Sequence, residues 1–231
     1  MSKQLIQKMF DSAVHIGHRT QKWNPLMKKF LYGERSGVHI INLETTVKYL
    51  ESAANFLAKT ASEGKVVLFV STKPQSLKLI EETATGVGMP FVASRWIPGL
   101  LTNFKTIKSR VKYLADLKDQ QETGEFEKYT KKEASKLSKT IVKLSTSLGG
   151  VRNLASLPDV VFVVDVVRDK IAVTEAKKLG LPVVAIVDSN SNPSYVDYPI
   201  PGNDDALQSL EFLLGEVKAS LAKKKKVTKE G

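Results

Sequence analysis

Six side chains of this sequence have the types from which hydrolytic or metal chemistry is built: Asp165, Asp188, Asp204, Asp205, His15 and His18. Asp165 and Asp188 each close an apolar run, so a parallel sheet would bring them to one edge. Asp204 and Asp205 could join them there, with the two imidazoles as nitrogen donors. Carboxylates and imidazoles gathered in this way can hold a divalent cation or activate a water. Each also has a plainer reading. Aspartate at a strand end commonly stabilises a turn. Asp204 and Asp205 follow Asn203 in what reads as the first turn of a helix, where capping and the dipole favour them. His15 and His18 stand three apart around Gly17, a spacing more often found in a packed or hydrogen-bonded pair than in metal ligands. The plainer readings are preferred, so no catalytic residue, metal or cofactor is assigned.

A nucleotide site fares no better. The run ending at Val70 continues as Ser71-Thr72-Lys73-Pro74, with no glycine to let a pyrophosphate approach the backbone. Thr85-Gly86-Val87-Gly88 follows a helical pattern and reads as a helix stop, and nothing has Walker A spacing.

Two other segments mix cations with aromatic residues. They are His18–Phe30, with Arg19, Lys22, Trp23, Lys28 and Lys29, and Ser94–Lys105, with Arg95, Trp96 and Phe104. Lysine and arginine neutralise phosphates, and exposed tryptophan can stack on unpaired bases. The competing reading makes Trp23, Trp96 and Phe104 core residues with lysine stems lying around them. The candidates for nucleic-acid contact are Arg19, Lys22, Trp23, Lys28, Lys29, Arg35, Arg95, Trp96, Asn103, Lys105 and Lys108.

The charge balance supports them. Thirty-five basic residues against 24 acidic ones leave +11, and the excess is segregated. Residues 1–35, 105–146 and 218–231 each carry +5, whereas 147–217 carry −5. A merely solvated surface mixes its signs, so this distribution points to a polyanionic partner. The 231 residues contain no cysteine, which excludes disulfides and thiolate metal sites and fits a reducing cytosol. No apolar run approaches the ~18 residues of a membrane span, and residues 1–20 show no signal-peptide pattern.

The elements that must position these side chains alternate. Val38–Ile41, Lys65–Val70, Asp159–Asp165 and Pro182–Asp188 are apolar and β-branched. The last three are continuous, as parallel strands buried on both faces require. Met89–Ala93 and Tyr198–Ile200 are shorter strand candidates. Helical patterns cover Leu43–Thr60, Gln75–Thr85 and Ile171–Leu179, the last stopped by Gly180. This is a three-layer α/β/α sheet with right-handed crossovers. Residues 105–148 break the alternation. Phe104, Ile107, Val111 and Leu114, then Ala134, Leu137, Ile141, Leu144 and Leu148, form heptad seams on two helices. Thr130–Glu133 has the spacing of a capping box that would start the second helix. An inserted antiparallel coiled-coil hairpin is expected, between sheet-domain segments 1–104 and 149–217. A basic disordered tail, 218–231, is expected to follow.

Ala13-Val-His-Ile-Gly-His18, Trp23-Asn-Pro25, Gly33-Glu-Arg35 and His39-Ile-Ile-Asn-Leu43 resemble, in order, the opening of the universal small-subunit ribosomal protein S-two family in its bacterial form. Arg95-Trp96, Leu101-Thr-Asn-Phe104, Leu157-Pro-Asp159, Phe162-Val-Val-Asp165, Pro182–Asp188 and Ile200–Ala206 continue the resemblance, which covers nearly all of residues 4–217. Ile97-Pro98-Gly99 departs from the family's Leu-Gly-Gly, and Val166-Val167 from its common Pro-Arg. The lysine tail is not a family signature. The resemblance implies a flavodoxin-like sheet of about five parallel strands and a cytoplasmic, ribosome-bound structural protein. It also implies contact with small-subunit ribosomal RNA and with neighbouring ribosomal proteins, ribosomal protein S-one among them. Membrane and small-molecule partners are not expected. The rival readings are a nucleotide- or sugar-phosphate-handling α/β enzyme and a free basic coiled-coil adaptor for nucleic acid.

Overall fold

A computed structural model describes the backbone of residues 2–225 and the side chains of residues 3–222. The first helix, α1 (Ser2–Asp11), leads into a three-stranded antiparallel sheet of β1 (Ile16–Arg19), β2 (Leu31–Arg35) and β3 (Val38–Ile41), with β3 in the centre. β2 turns into β3 through Ser36 and Gly37, whose φ values of 52° and 74° belong to a tight primed hairpin turn. Of these strands only β3 is legible in the sequence. β1 and β2 each carry a register shift against it, which breaks the period-two alternation that marks a strand.

Asn42 caps α2 (Leu43–Ser62) by accepting from the backbone N–H groups of Glu44 and Thr45. The chain then alternates through β4 (Val67–Val70), α3 (Leu77–Val87) and β5 (Phe91–Val92), with Gly88 at φ 68° ending α3. After an excursion it resumes with β6 (Val160–Val163), α6 (Lys170–Lys178), β7 (Val183–Val187) and β8 (Tyr198–Pro201). The sheet order is β5-β4-β6-β7-β8, and every adjacent pair is parallel. Numbered within this sheet the order is 2-1-3-4-5, the flavodoxin-like winding, which reverses direction between β4 and β6.

Alternation along the strands builds two cores. Val67, Phe69, Val160, Phe162, Val184 and Ile186 pack with α2, α3 and the last helix, α7 (Leu207–Lys225). Leu68, Val70, Val161, Val163, Val183, Ala185 and Val187 face the other way, onto α6 and three irregular segments. Those segments contribute Met27 and Phe30, then Trp96, Leu100 and Leu101, and then Val151 and Leu154. α7 runs to Lys225, so the described part of the supposed tail is helical rather than irregular. Residues 226–231 lie outside the described residues.

The excursion is a helical arm, α4 (Phe104–Glu122) and α5 (Lys131–Leu148). Thr130 and Glu133 form the expected capping box at the start of α5. Leu114, Leu117 and Ile141 make a small core between the helices, with Leu137, Leu144 and Phe126 around it. Nearer the sheet, Ile107 and Leu148 are buried in the second core, so the arm's base is part of the domain it leaves.

Candidate nucleic-acid interface

The N-terminal candidates sit on irregular backbone that two buried residues hold against the sheet. Asn24 accepts from the N–H of Leu26 and opens a 3-10 turn, Pro25–Phe30. Met27 and Phe30 of that turn are fully buried, which leaves Lys28 and Lys29 outside. Lys29 Nζ lies 4.8 Å from the centroid of the Phe30 ring. Arg19 at the end of β1 and Arg35 at the end of β2 both stand opposite Val38 of β3. Directly opposed residues share a face, so the two guanidinium groups flank one exposed side of the small sheet. Lys22 is exposed, and Trp23 is half-buried with its ring 4.9 Å from that of His39.

The second group lies at the base of the arm and carries a correction. Trp96 is only 6% exposed and its indole N–H donates to Glu175 Oε1 at 3.1 Å. It is a core residue, with no face free to stack on a base. Glu175, absent from the sequence candidates, organises the whole loop. Its carboxylate accepts also from the N–H groups of Gly99, Leu101 and Thr102 and from the Thr102 hydroxyl. Burial opposes its charge, yet these donors hold its pKa below the ordinary glutamate range. With Trp96, Leu100 and Leu101 turned inward, Arg95, Asn103, Lys105 and Lys108 are left exposed. Asn103 accepts from the Thr106 hydroxyl at the start of α4, and Lys108 Nζ donates to the carbonyl of Ala155 at 3.0 Å.

Among the described residues no side-chain hydrogen bond or ion pair joins the two groups. What they share is a floor, since Met27 and Phe30 belong to the same buried cluster as Trp96, Leu100 and Leu101. None of Arg19, Lys22, Lys28, Lys29, Arg35, Arg95, Lys105 and Lys108 makes an ion pair with a described acid.

The carboxylates converge elsewhere, at the carboxyl ends of the parallel strands beside the switch point. Lys73, just past β4, is buried there with Nζ 2.6 Å from Asp204 Oδ1, 2.6 Å from Asp205 Oδ1 and 3.5 Å from Asp165 Oδ2. Burial alone would lower the lysine's pKa, but Asp204, Asp205 and Asp165 overcome it and raise it. Asp204 is fully buried, and burial next to Asp188 and Asp165 pushes its carboxyl up to about 7 against the pull of Lys73. Asp204 therefore does not serve as a helix-cap acid. Asn203 makes the turn before α7, accepting from the N–H groups of Asp205 and Ala206. Asp165 keeps its turn role, accepting from the N–H groups of Val167 and Arg168.

His18 joins this cluster and His15 does not. The His18 N–H donates to Ser189 Oγ, and a Cβ built on Gly17 would lie 2.8 Å from that oxygen, so glycine permits the close approach. His18 Nδ1 is 3.1 Å from Asp188 Oδ2 and Nε2 is 3.2 Å from Asp205 Oδ2. The hydrogen bond with Asp188, opposed by burial and reinforced by the surrounding carboxylates, raises its pKa. His15 instead stacks on Phe10, and burial lowers its pKa. One ligand atom from each of His18, Asp188, Asp204 and Asp205 lies within 4.8 Å of the others, and Asp204 Oδ2 has no hydrogen-bond partner among the described residues. A nitrogen and three carboxylate oxygens suit a divalent ion of the zinc type. They do not suit a nucleotide, whose phosphates these acids would repel.

Comparison with known proteins adds the family. The model of the family Ribosomal protein S2 matches residues 9–223. A small ribosomal subunit protein uS2 from Dehalococcoides mccartyi is 46% identical over 216 residues, 94% of this chain and 88% of that protein. A uS2 from Francisella philomiragia is 49% identical over 210 residues, covering 91% and 88%. One from Campylobacter concisus is 47% identical over 212 residues, covering 92% and 81%.

Proposed function

The chain belongs to the ribosomal protein S2 family, a structural and non-enzymatic family of the small ribosomal subunit, and from that premise we propose how it engages its subunit. It docks on folded small-subunit ribosomal RNA through the two cationic groups, Arg19, Lys22, Lys28, Lys29 and Arg35 on one side and Arg95, Lys105 and Lys108 on the other. Trp23, half-exposed, is the aromatic residue left to contact a base, and Asn103 can offer a polar contact.

The observation that carries this reading is that these cations are exposed and have no acidic partner among the described residues, while the buried residues beside them fix their backbone to one floor. Phosphate contacts position a protein on RNA, and preorganised backbone spares the cost of ordering it on binding. Arginine can fork onto a phosphate where lysine acts as a point charge, so Arg19, Arg35 and Arg95 set geometry and the lysines add affinity. Neighbouring ribosomal proteins complete the setting, with ribosomal protein S-one a partner at the level of the family. The protein supports assembly of the cytoplasmic small subunit by holding RNA segments in register.

The test pairs stability with assembly. Lys22→Glu and Lys105→Glu are expected to melt like the wild type, because exposed charges contribute little to folding. Both are expected to enter reconstituted small subunits poorly. Normal incorporation of both would place the RNA surface elsewhere.

A further inference from the structure

The outward side of α5 carries a feature that neither cationic group includes. Lys132, Lys136, Lys139 and Lys143 follow one another at intervals of four, three and four residues, so they stand in one row along the helix. The row lies opposite the side formed by Leu137, Ile141, Leu144 and Leu148, which packs against α4 and the sheet domain. All four lysines are exposed, and none of their ammonium groups has an ion-pair or hydrogen-bond partner among the described residues. The only acid of α5, Glu133, is committed to the Thr130 cap. The outer side of α4 is different, since Asp116 and Asp119 follow Lys105 and Lys112 there and mix the signs. Ordinary solvated helix surface mixes its signs as α4 does.

We infer that this row is a second docking rail, one that takes the phosphate backbone of double-helical RNA. The inference rests on the ribosomal RNA reading above. Successive lysines on one helical face stand about 5–6 Å apart, a spacing comparable with that of neighbouring phosphates on a strand. From Lys132 to Lys143 the rail runs about 16 Å at ~1.5 Å per residue. It offers point charges with no aromatic residue between 130 and 148, so it has nothing on which an unpaired base could stack. That favours a paired helix, recognised by shape and phosphates, over a single strand. A protein partner fits less well. Protein interfaces deplete lysine and favour aromatic residues and arginine, and the one large apolar side chain exposed on this side is Val142. The arm's docked base, through Ile107 and Leu148, would hold the rail at a fixed position relative to the first surface.

The experiment uses the full chain with a blunt 20-base-pair RNA duplex and a 20-nucleotide oligouridine, read by fluorescence anisotropy across a salt series. Two variants are compared: the rail set Lys132, Lys136, Lys139 and Lys143→Gln, and the first-surface set Lys22, Lys28, Lys29 and Lys105→Gln. The rail variant is expected to melt as the wild type does and to bind the duplex roughly 10- to 100-fold more weakly at low salt. Its log–log salt slope should be shallower by about 3–4, taking ~0.9 per neutralised phosphate. Binding to oligouridine should change much less. If the rail variant keeps the wild-type slope while the first-surface variant loses affinity, the rail is a solvated face and only this inference falls. If neither variant loses affinity, the RNA reading itself falls. Equal losses on duplex and oligouridine would show general charge attraction and overturn the assignment to paired RNA.

Discussion

Replacing Glu175 by alanine should loosen the base of the arm without touching any residue proposed to meet RNA. The carboxylate accepts five hydrogen bonds, from Trp96 Nε1, the N–H groups of Gly99, Leu101 and Thr102, and the Thr102 hydroxyl. The bonds from Trp96 and Leu101 are buried, and those donors would find no water in place of the carboxylate. The donors of Gly99 and Thr102 are part-buried and can be partly rehydrated. At about 1–3 kcal/mol for each stranded buried donor, the loss comes to about 3–5 kcal/mol. For a domain of this size that lowers Tm by about 6–20 °C, at ~2–4 °C per kcal/mol. Glu175→Gln keeps one acceptor oxygen but turns an amide NH2 toward the remaining N–H donors, so it should still destabilise, by less than Glu175→Ala. The charge adds a pH signature. The folded-state pKa of Glu175 is depressed, so its stabilisation is present above the unfolded glutamate pKa and is lost as pH falls through the lower folded value. The gap between wild type and Glu175→Gln should therefore close on acidification. Thermal melts followed by circular dichroism from pH 3 to pH 8 measure both effects. A Glu175→Ala protein melting within about 2 °C of the wild type would refute the latch, because the two stranded buried donors together cost at least ~2 kcal/mol, or about 4 °C.

Trp96→Ala should destabilise the free protein by about 3–5 kcal/mol, as a buried aromatic does, rather than weaken RNA binding selectively; wild-type Tm with weakened RNA binding would restore a stacking role. Replacing residues 115–140 by a short Gly/Ser linker should leave cooperative melting intact, whereas removing 106–148 should lower Tm markedly, because Ile107 and Leu148 leave the second core. Equal melting of the two deletions would contradict that packing. In the presence of a chelator, stability should fall as pH rises from 5 to 8. Asp204, raised to about 7, and His18, also raised, both lose stabilisation as pH climbs through their folded values. Asp204→Asn should flatten this slope, and an unchanged slope in thermal melts would remove Asp204 as its source. Zinc added to chelator-stripped protein should raise Tm through the His18, Asp188, Asp204 and Asp205 ligand set, magnesium should do so less, and the zinc gain should vanish in His18→Asn. An equal gain in His18→Asn would place the metal elsewhere.

The parts of this structure legible in the sequence are those fixed by local pattern. The continuous runs around Val67–Val70, Val160–Val163 and Val183–Val187 are the buried parallel strands they promised to be. Thr130 and Glu133 close the capping box their spacing required. What stayed hidden depends on residues far apart in the chain. Glu175 and Trp96 are 79 positions apart and Lys73 and Asp204 are 131 apart, and neither pair has a periodic or local signal. The strand order was the signal that could have located Lys73, because it puts the residue after the first strand at the switch point. Trp96 was misplaced among the RNA candidates because cations surround it in sequence, whereas the fold turns it inward and its neighbours Arg95 and Pro98 outward. β1 and β2 were missed because their bulges erase the alternation on which a strand is recognised.

Exposed cations at the N-terminal segment and the arm's base, with no acidic partner among the described residues, are proposed to hold this protein on ribosomal RNA. Ultraviolet crosslinking of intact small subunits, with crosslinked peptides sequenced by mass spectrometry, tests it most directly. RNA adducts are expected on the segments Arg19–Arg35 and Arg95–Lys108, and none on Asp188–Asp205, where carboxylates gather. Adducts confined to the acidic segment, or absent from both cationic ones, would contradict it.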